Sequence, residues 1–343
     1  MPYTTIAQAL RETLRQQMQR DPRVFILGQD VGKFGGAYRV TEGMYEEFGG
    51  QRVRDTAVSE IAIAGMAMGA ALTGLRPVAE FQFNDFLPNA MDQICNHMAK
   101  FRLMSGGKLC VPVIMRAVSG SAGRAAQHSQ SLEAWFAHVP GLHVVMPATP
   151  YDARGLLRSA FKSLNPVIIF EHKLLYGSSS PGGKAASAVG EYARTMTPAP
   201  EEDYEVPFGV AEVKREGSDL TIVATSLMVH RCLHIAETLA NREGVSIEVI
   251  DPRSVYPLDM NAINRSVRKT HRCLVVTEET GFASVAAEIA SQVAEFAFDY
   301  LDAPPMRVNA LHAPVPFNYT CEAYVLPNSG RIESAIRKLL EGK

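Results

Sequence analysis

Three stretches of this sequence set reactive side chains where chemistry could be done. In DTAVSEIAIAGMAMGAALTGLRP one carboxylate, Glu60, opens a run that is otherwise nearly all apolar. Such a carboxylate is either a solvated helix-start acid favoured by the helix dipole, or an acid whose neighbours exclude water. In the second case its pKa rises and it can share a proton with a heterocyclic nitrogen; spacing alone does not choose between them. The second stretch, SGSAGRAAQHSQS (Ser119 to Ser131), follows a strand ending at Val118 and precedes a helix. Small residues let a backbone turn tightly, and loops after the carboxyl ends of parallel strands are where such folds hold ligands. His128 sits late in that loop and is a candidate acid–base group, although loop histidines are common; the other eight histidines read as packing or surface groups. The third stretch, FQFNDF, places Phe81 and Phe83 in a core and Phe86 beyond the strand end, where its ring could stack on a planar ligand.

Other motifs are excluded. The glycine-rich VGKFGGAYRVTEG matches neither the Walker pattern nor GxGxxG, which argues against a nucleotide loop. The chain has no HExxH, no GxSxG and no HxE with a cysteine pair, so the commonest hydrolase and deaminase chemistries fall away.

The elements that must position these groups alternate along the chain. Apolar runs predict strands at Val24–Gly28, Pro77–Phe83, Val111–Val118, His143–Ala148 and Pro166–His172. Helical stretches are expected at Asn89–Met104, Leu132–His138 and Tyr151–Ser163, and the small apolar run Ile61–Leu72 follows Ser59 and Glu60. Strands apolar on both faces belong between two helical layers, so the first half reads as a parallel α/β sandwich. From Tyr176 to about Val206 the chain turns rich in Gly, Pro, Ser and charge and reads as a connector. The rhythm resumes with strands at Leu220–Ser226, Ser246–Asp251, Cys273–Glu279 and Met306–Leu311 and helices near Val229–Asn241 and Ala286–Phe296. The expected fold class is α/β with two domains: residues 1–176, a linker over 177–206, and residues 207–343. There is no internal repeat.

Length and composition agree. The 343 residues suit two domains at roughly 150 residues each. With 47% hydrophobic and 20% charged residues, the chain has ordinary globular composition. Basic and acidic residues number 34 and 36, and without a basic tract nucleic acid is not an expected partner. No apolar run approaches the roughly 20 residues that cross a bilayer. The N-terminal MPYTTIAQALRETLRQQMQRDP reads as an amphipathic helix rather than a signal peptide. Five scattered cysteines without a CxxC pair suit a reducing compartment and argue against structural zinc. The expected location is cytoplasmic, or the mitochondrial matrix if a presequence has been removed.

In order along the chain, ILGQDVGKFGGAYRVTEG, RVRDTAVSE, GLRPVAEFQFNDF, MDQICNHMAKFRLMSGG, GRAAQHSQSLEAWFAHVPGLHVVMPATPYDARGLL, NPVIIFEHKLLYG and IDPRSVYPLD closely resemble the β subunit of the decarboxylating component of 2-oxoacid dehydrogenase complexes, which depends on thiamine diphosphate. AAQHSQ and EHKLLYG look most like the pyruvate and acetoin members. The resemblance implies a pyrimidine-binding α/β domain followed by a transketolase C-terminal-like domain. It implies that Glu60 hydrogen-bonds the cofactor's aminopyrimidine and favours the imino tautomer that deprotonates the reactive carbon. Phe86 then packs on that pyrimidine with Gln82 and Val58 beside it, and His128 handles substrate and acyl transfer to a lipoyl sulfur. It places Val113, Ala160, Phe161, Ser163 and Asn165 where many members hold potassium, Ser163 standing where an aspartate is common.

The chain contains no GDG, the motif with which this family holds diphosphate and magnesium. Magnesium takes oxygen ligands and leans on substrate phosphates, so a missing phosphate half means a missing metal half. The resemblance therefore implies an α subunit that supplies both, in an α2β2 heterotetramer, with a lipoyl-bearing acyltransferase as further partner. The expected reaction is oxidative decarboxylation of a 2-oxoacid, most of all pyruvate, with acetoin cleavage and branched-chain 2-oxoacids as alternatives. A non-catalytic scaffold subunit and a single-chain transketolase are the rivals. HAPVPF (His312 to Phe317) is expected near subunit contacts, and SSSPGGKAASAVGEYARTMTPAP is an insertion relative to the family.

Overall fold

A computed structural model of the chain describes residues 3–177, 196–200 and 203–342. The expected insertion lies for the most part outside the described residues. Its far end forms a short strand, β8 (Met196–Pro198), antiparallel to β1 (Tyr3–Thr5). Thr5 then caps the Ile6–Arg20 helix with a reciprocal pair: its hydroxyl accepts from Gln8 N at 3.2 Å while Gln8 Oε1 accepts from Thr5 N at 3.0 Å.

The first sheet has seven strands. Its core strands are β2 (Val24–Gly28), β4 (Arg76–Phe81), β5 (Ile114–Ser119), β6 (His143–Val145) and β7 (Val167–His172), with β3 (Val53–Asp55) outermost on one side. The order β6-β7-β5-β4-β2-β3 is parallel throughout. Every residue of β2, β5 and β7 is buried, as strands covered on both faces require. The chain leaves β2 for β3 on one side and returns to β4 on the other. That reversal opens a crevice outside the carboxyl ends of β2 and β4, the place where open α/β sheets hold ligands.

The second sheet runs β14-β13-β10-β11-β9, built from β9 (Glu212–Arg215), β10 (Leu220–Ala224), β11 (Ile247–Asp251), β13 (Cys273–Thr280) and β14 (Met306–Ala310). It is parallel except for β9, which pairs antiparallel with β11. One strand crosses over. β12 (Ser254–Tyr256) adds to the first sheet, antiparallel to β6, in the register Ser254 to Val145 and Tyr256 to Val144. Flanked by Pro252 and Pro257, those three residues show no alternation from which a strand could be read. The short β1, β3, β8 and β9 and the Met260–Thr270 and Ser329–Glu341 helices were likewise not legible in the pattern.

The helical stretch expected at about Asn89–Met104 is broken into three pieces, the first beginning earlier, at Asn84. A 3-10 helix spans Asn84–Ala90, a π-helical segment spans Asp92–Met98, and a short α-helix spans Phe101–Met104. Pro88 inside the first piece can donate no backbone hydrogen bond. The wide second piece closes with Ala99 N donating to Ile94 O at 3.0 Å, five residues back. The remaining strands and helices of the first half begin and end within a few residues of the apolar runs.

The two halves meet over buried charge. Lys214 Nζ donates to Asp152 Oδ2 at 2.9 Å and to Glu212 Oε2 at 2.5 Å, and Arg253 lies 3.3 Å from Glu212. His230 Nε2 donates to the Ala148 carbonyl at 2.7 Å across the same seam. No helix among the described residues is long and apolar enough to cross a membrane.

Candidate active site

The sheet's switch point gathers most of the expected residues. Gln82, just past β4, donates from Nε2 to Asp30 Oδ2 at 3.2 Å, joining the ends of β4 and β2. Beyond it, Phe83, Phe86 and His128 form an edge-to-face trio. The His128 ring centroid lies 4.7 Å from that of Phe83 and 5.5 Å from that of Phe86, with interplanar angles of 86° and 82°. The two phenyl rings are 5.6 Å apart and again perpendicular. Such contacts set a ring positive edge toward a π face and hold the imidazole in one orientation. Phe83, expected in the core, is half-buried here and belongs to the site; Phe81 is buried as expected.

Beneath this trio the floor is ionic. Arg116, on β5 opposite Glu80 of β4, grips Glu171 with Nε and Nη2 at 2.8 and 2.7 Å and reaches Glu80 with Nη1. Tyr176 donates its hydroxyl to Glu171 and stacks on Tyr38 with centroids 4.8 Å apart. Burial pushes the Glu80 carboxyl upward against the pull of Arg116. The glycine-rich loop lies over this network. A side chain at Gly36, whose φ is +80°, would come within 3.0 Å of Glu80 Oε1, so that glycine serves close packing rather than a phosphate cradle.

The His128 loop is closed at its base by Gly120 N donating to Gln130 O at 3.2 Å. Buried Asn84 donates to the carbonyls of Gln130 and Val118 at 2.9 and 3.2 Å, and Asp85 Oδ1 accepts from Gln130 N at 3.1 Å. Lys173 Nζ donates to Gly120 O at 2.6 Å and sits 5.1 Å above the Phe83 ring. Burial lowers its pKa to about 8, against the carboxylates of Asp85 and Glu278. Gly120 takes φ +79°, and a Cβ there would lie 2.1 Å from His172 Nε2. Asp30, Asp85, Lys173, Glu278 and Glu322 all enter the site's framework unannounced. Asp30, Asp85 and Lys173 follow strand ends and could have been sought there, whereas Glu278 and Glu322 carry no local signal.

Glu60 opens the Glu60–Leu72 helix, whose N-cap Ser59 accepts from Ala62 N. That helix packs on β4 and on the Asn84–Ala90 turn that carries Phe86. Glu60 itself is only half-buried. The apolar run after it was expected to wall a dry pocket, yet it exposes one face: Val58 is 71% exposed, Ile61 54% and Met66 49%. The wall is not complete among the described residues.

The five residues of the expected potassium site meet at the opposite, amino-terminal edge of the sheet. There Val113 O accepts from Val167 N at 2.9 Å and Asn165 O from the Ser163 hydroxyl at 2.9 Å. Asn165 Oδ1 accepts from Arg102 at 2.8 Å. The Arg76 guanidinium donates to the carbonyls of Phe161 and Ser163. A guanidinium thus already answers two of the five expected ligands, and as arranged the Phe161 and Ser163 carbonyls do not fit a potassium ion. A cavity of about 410 Å3, lined by Met98, Arg102, Leu103, Val111, Gly141 and Pro166, opens on that same edge, away from His128. No group of three or more His, Cys, Asp and Glu among the described residues is placed to hold a metal ion.

Comparison with known proteins gives this architecture its class. Residues 3–179 match the transketolase pyrimidine binding domain and residues 209–332 the transketolase C-terminal domain. Among solved structures, a split gene transketolase described as an inactive beta4 tetramer aligns with a TM-score of 0.77 over 99% of both chains at 20% identity, a likeness of fold. The 2-oxoisovalerate dehydrogenase subunit beta of Bacillus subtilis is 42% identical over 99% of this chain and 100% of its own. The pyruvate dehydrogenase E1 component subunit beta of Rickettsia felis is 42% identical over 98% of each. The acetoin:2,6-dichlorophenolindophenol oxidoreductase subunit beta of Cupriavidus necator is 43% identical over 98% of each. The chain belongs to the family of β subunits of the thiamine-diphosphate-dependent 2-oxoacid dehydrogenases, enzymes of the oxidoreductase class.

Proposed function

We propose that this β subunit serves the oxidative decarboxylation of pyruvate, passing the acetyl group to a lipoyl-bearing acyltransferase, and that it does so in the cytoplasm as half of an α2β2 assembly. The observation that carries the reading is the incompleteness of the site. The switch point holds a carboxylate, an amide, edge-on aromatics and an imidazole, all suited to a nitrogen heterocycle and a carbonyl substrate. The sequence carries no GDG motif, and no metal-binding cluster lies among the described residues. Beside Glu60 an apolar face stands open. A partner that covers Val58, Ile61 and Met66 would finish the water-excluding wall and bring the diphosphate and magnesium half.

Within this frame the residues divide the work. The pyrimidine half of thiamine diphosphate fits Glu60, Gln82, Val58 and Phe86; when bound, the cofactor supplies the electron sink for the carbanion left as carbon dioxide departs. Glu60 holds a proton against a ring nitrogen and so sets which tautomer is present. Phe86 offers a flat apolar platform held by its contact with His128 and Phe83. His128 donates or withdraws a proton at the substrate carbonyl and at the accepting sulfur. The imidazole is steered by two perpendicular phenyl rings.

Calorimetric titration of thiamine diphosphate and magnesium into this chain, alone and with a co-expressed α-type partner, tests the split site. Binding is expected only with the partner. Tight magnesium-dependent binding by the lone chain would overturn the split, and none in either case would favour a scaffold subunit. Relatives named for pyruvate, acetoin and 2-oxoisovalerate match this chain at 42–43% identity alike. Turnover of pyruvate, acetoin and branched-chain 2-oxoacids by the assembled enzyme therefore decides the substrate, with pyruvate expected to give the highest kcat/KM.

A further inference from the structure

We propose that Glu322, from the second half of the chain, is a positioning residue for His128, acting by holding the amino-terminal stem of the His128 loop. The proposal rests on the role given to His128 above. The two stems of that loop are secured from different places. The carboxyl-terminal stem is held from within the first sheet, where Asn84 and Asp85 bind Gln130. The amino-terminal stem is held largely from the other half of the molecule. Glu278 Oε1 accepts from Ser121 N at 2.6 Å, and Glu322 Oε1 accepts both from Gly123 N at 3.1 Å and from the Ser121 hydroxyl. Ser121, Glu278 and Glu322 are all buried. Hydrogen bonds to an ionised acceptor in such a setting are among the strongest that a loop can use.

The loop needs that hold. Two residues beyond Gly123, Ala125 sits at φ +63° and ψ −176°, a conformation that L residues rarely adopt, and it leads directly into the Ala126–His128 turn. A strained residue persists only where its surroundings over-determine it, and Gly123 and Ser121 are fixed points close to it, together with the His128 N–H that binds the Ala125 carbonyl at 3.3 Å. Glu278 shares its duty: its other oxygen meets His172 Nε2 at 2.8 Å. His172 Nδ1 accepts from Leu174 N, so the proton lies on Nε2. Among the described residues the Glu322 side chain hydrogen-bonds only the loop, and its Oε2 is buried without a partner. It projects from the Tyr319–Val325 helix, whose N-cap is Asn318 and not Glu322. Its placement therefore reads as directed at the loop.

The test compares Glu322→Ala and Glu322→Gln in the assembly with the co-expressed α partner, with and without His128→Gln. Exposed Arg124 gives trypsin a site inside the loop, so cleavage after Arg124 reports the clamp without reference to chemistry. Cleavage is expected to quicken about tenfold in Glu322→Ala, with kcat for lipoyl-dependent turnover falling about tenfold at unchanged KM for the oxoacid. Glu322→Gln keeps an oxygen that accepts from Gly123 and Ser121 and should restore both to within about threefold. In the His128→Gln background Glu322→Ala should lower kcat no further, since the two act as one unit. Unchanged cleavage in Glu322→Ala would overturn the clamp. Faster cleavage with unchanged kcat, or losses that simply add to those of His128→Gln, would overturn the link to His128. If His128→Gln alone leaves turnover intact, the assigned role of His128 falls, and the cleavage rates still decide whether Glu322 holds the loop.

Discussion

The two sides of this active centre are built to different degrees. On the His128 side every support is internal: Phe83 and Phe86 orient the ring, Asn84 and Asp85 fix one stem, and Lys173, Glu278 and Glu322 fix the other. On the Glu60 side the carboxylate starts a well-capped helix but looks onto apolar surface that nothing among the described residues covers. A catalytic group on a finished framework can be preorganised before any partner arrives. A group at an open apolar edge acquires its environment only on assembly. The difference teaches how the proposed split would run: through the site itself, with acid–base positioning on one side and desolvation on the other.

The largest effect should come from the unfinished side. Glu60→Gln removes a proton relay without touching the helix cap, and general acid–base groups contribute about 100- to 10,000-fold. Turnover of the assembled enzyme should fall by that order while its melting temperature stays within about 1 °C, since a half-exposed side chain carries little folding energy. Normal turnover in Glu60→Gln would remove the carboxylate from the chemistry. Next comes the open face. Ile61→Asp combined with Met66→Asp places charge where burial is expected on assembly, and partner affinity should drop at least about a hundredfold. The variant chain alone should keep its circular dichroism and melting temperature. Assembly at wild-type affinity would show that this face is not where the partner sits.

The strands and the two reactive groups are legible in the sequence, for reasons tied to particular residues, but the contrast between their surroundings is not. Val24–Gly28 and Val167–His172 announce themselves because a strand buried on both faces must be apolar without alternation. Glu60 stood out as a lone charge before a run of small apolar residues. His128 stood out as the imidazole of a loop following a strand. The clamp was invisible, because Glu278 and Glu322 lie 157 and 201 residues from Ser121 and each sits in an unremarkable local pattern. Phe83 was assigned to the core because strand alternation cannot say where a strand stops, and β4 stops at Phe81. The openness of the Glu60–Leu72 helix could not be read either: an apolar helix has the same pattern whether its own chain or a partner covers it.

The finished side should also betray itself by its dependence on pH, the smallest of these effects. Where the first half docks against β13, Glu133 and Glu279 are buried, and Glu133 Oε2 has no hydrogen-bond partner. Burial first, and then the nearby Glu279 carboxylate, pushes Glu133 well above the ordinary range. Burial pushes Glu279 up to about 7, against the Ala286 N–H and the Thr277 hydroxyl that favour its ionised form. A carboxyl whose folded pKa exceeds its unfolded one stabilises the fold most below the unfolded value, near 4.5, and that contribution is lost as pH rises through about 7. Glu279→Gln keeps the acceptor and removes the titration. Relative to wild type it should be near neutral at about pH 5 and more stable by about 1–3 kcal/mol at about pH 8, a gain of a few degrees in melting temperature. Thermal melts of both proteins at the two pH values check this. A difference that does not grow with pH would mean that the seam ionises without cost, and that the His128 side is no more tightly closed than the Glu60 side.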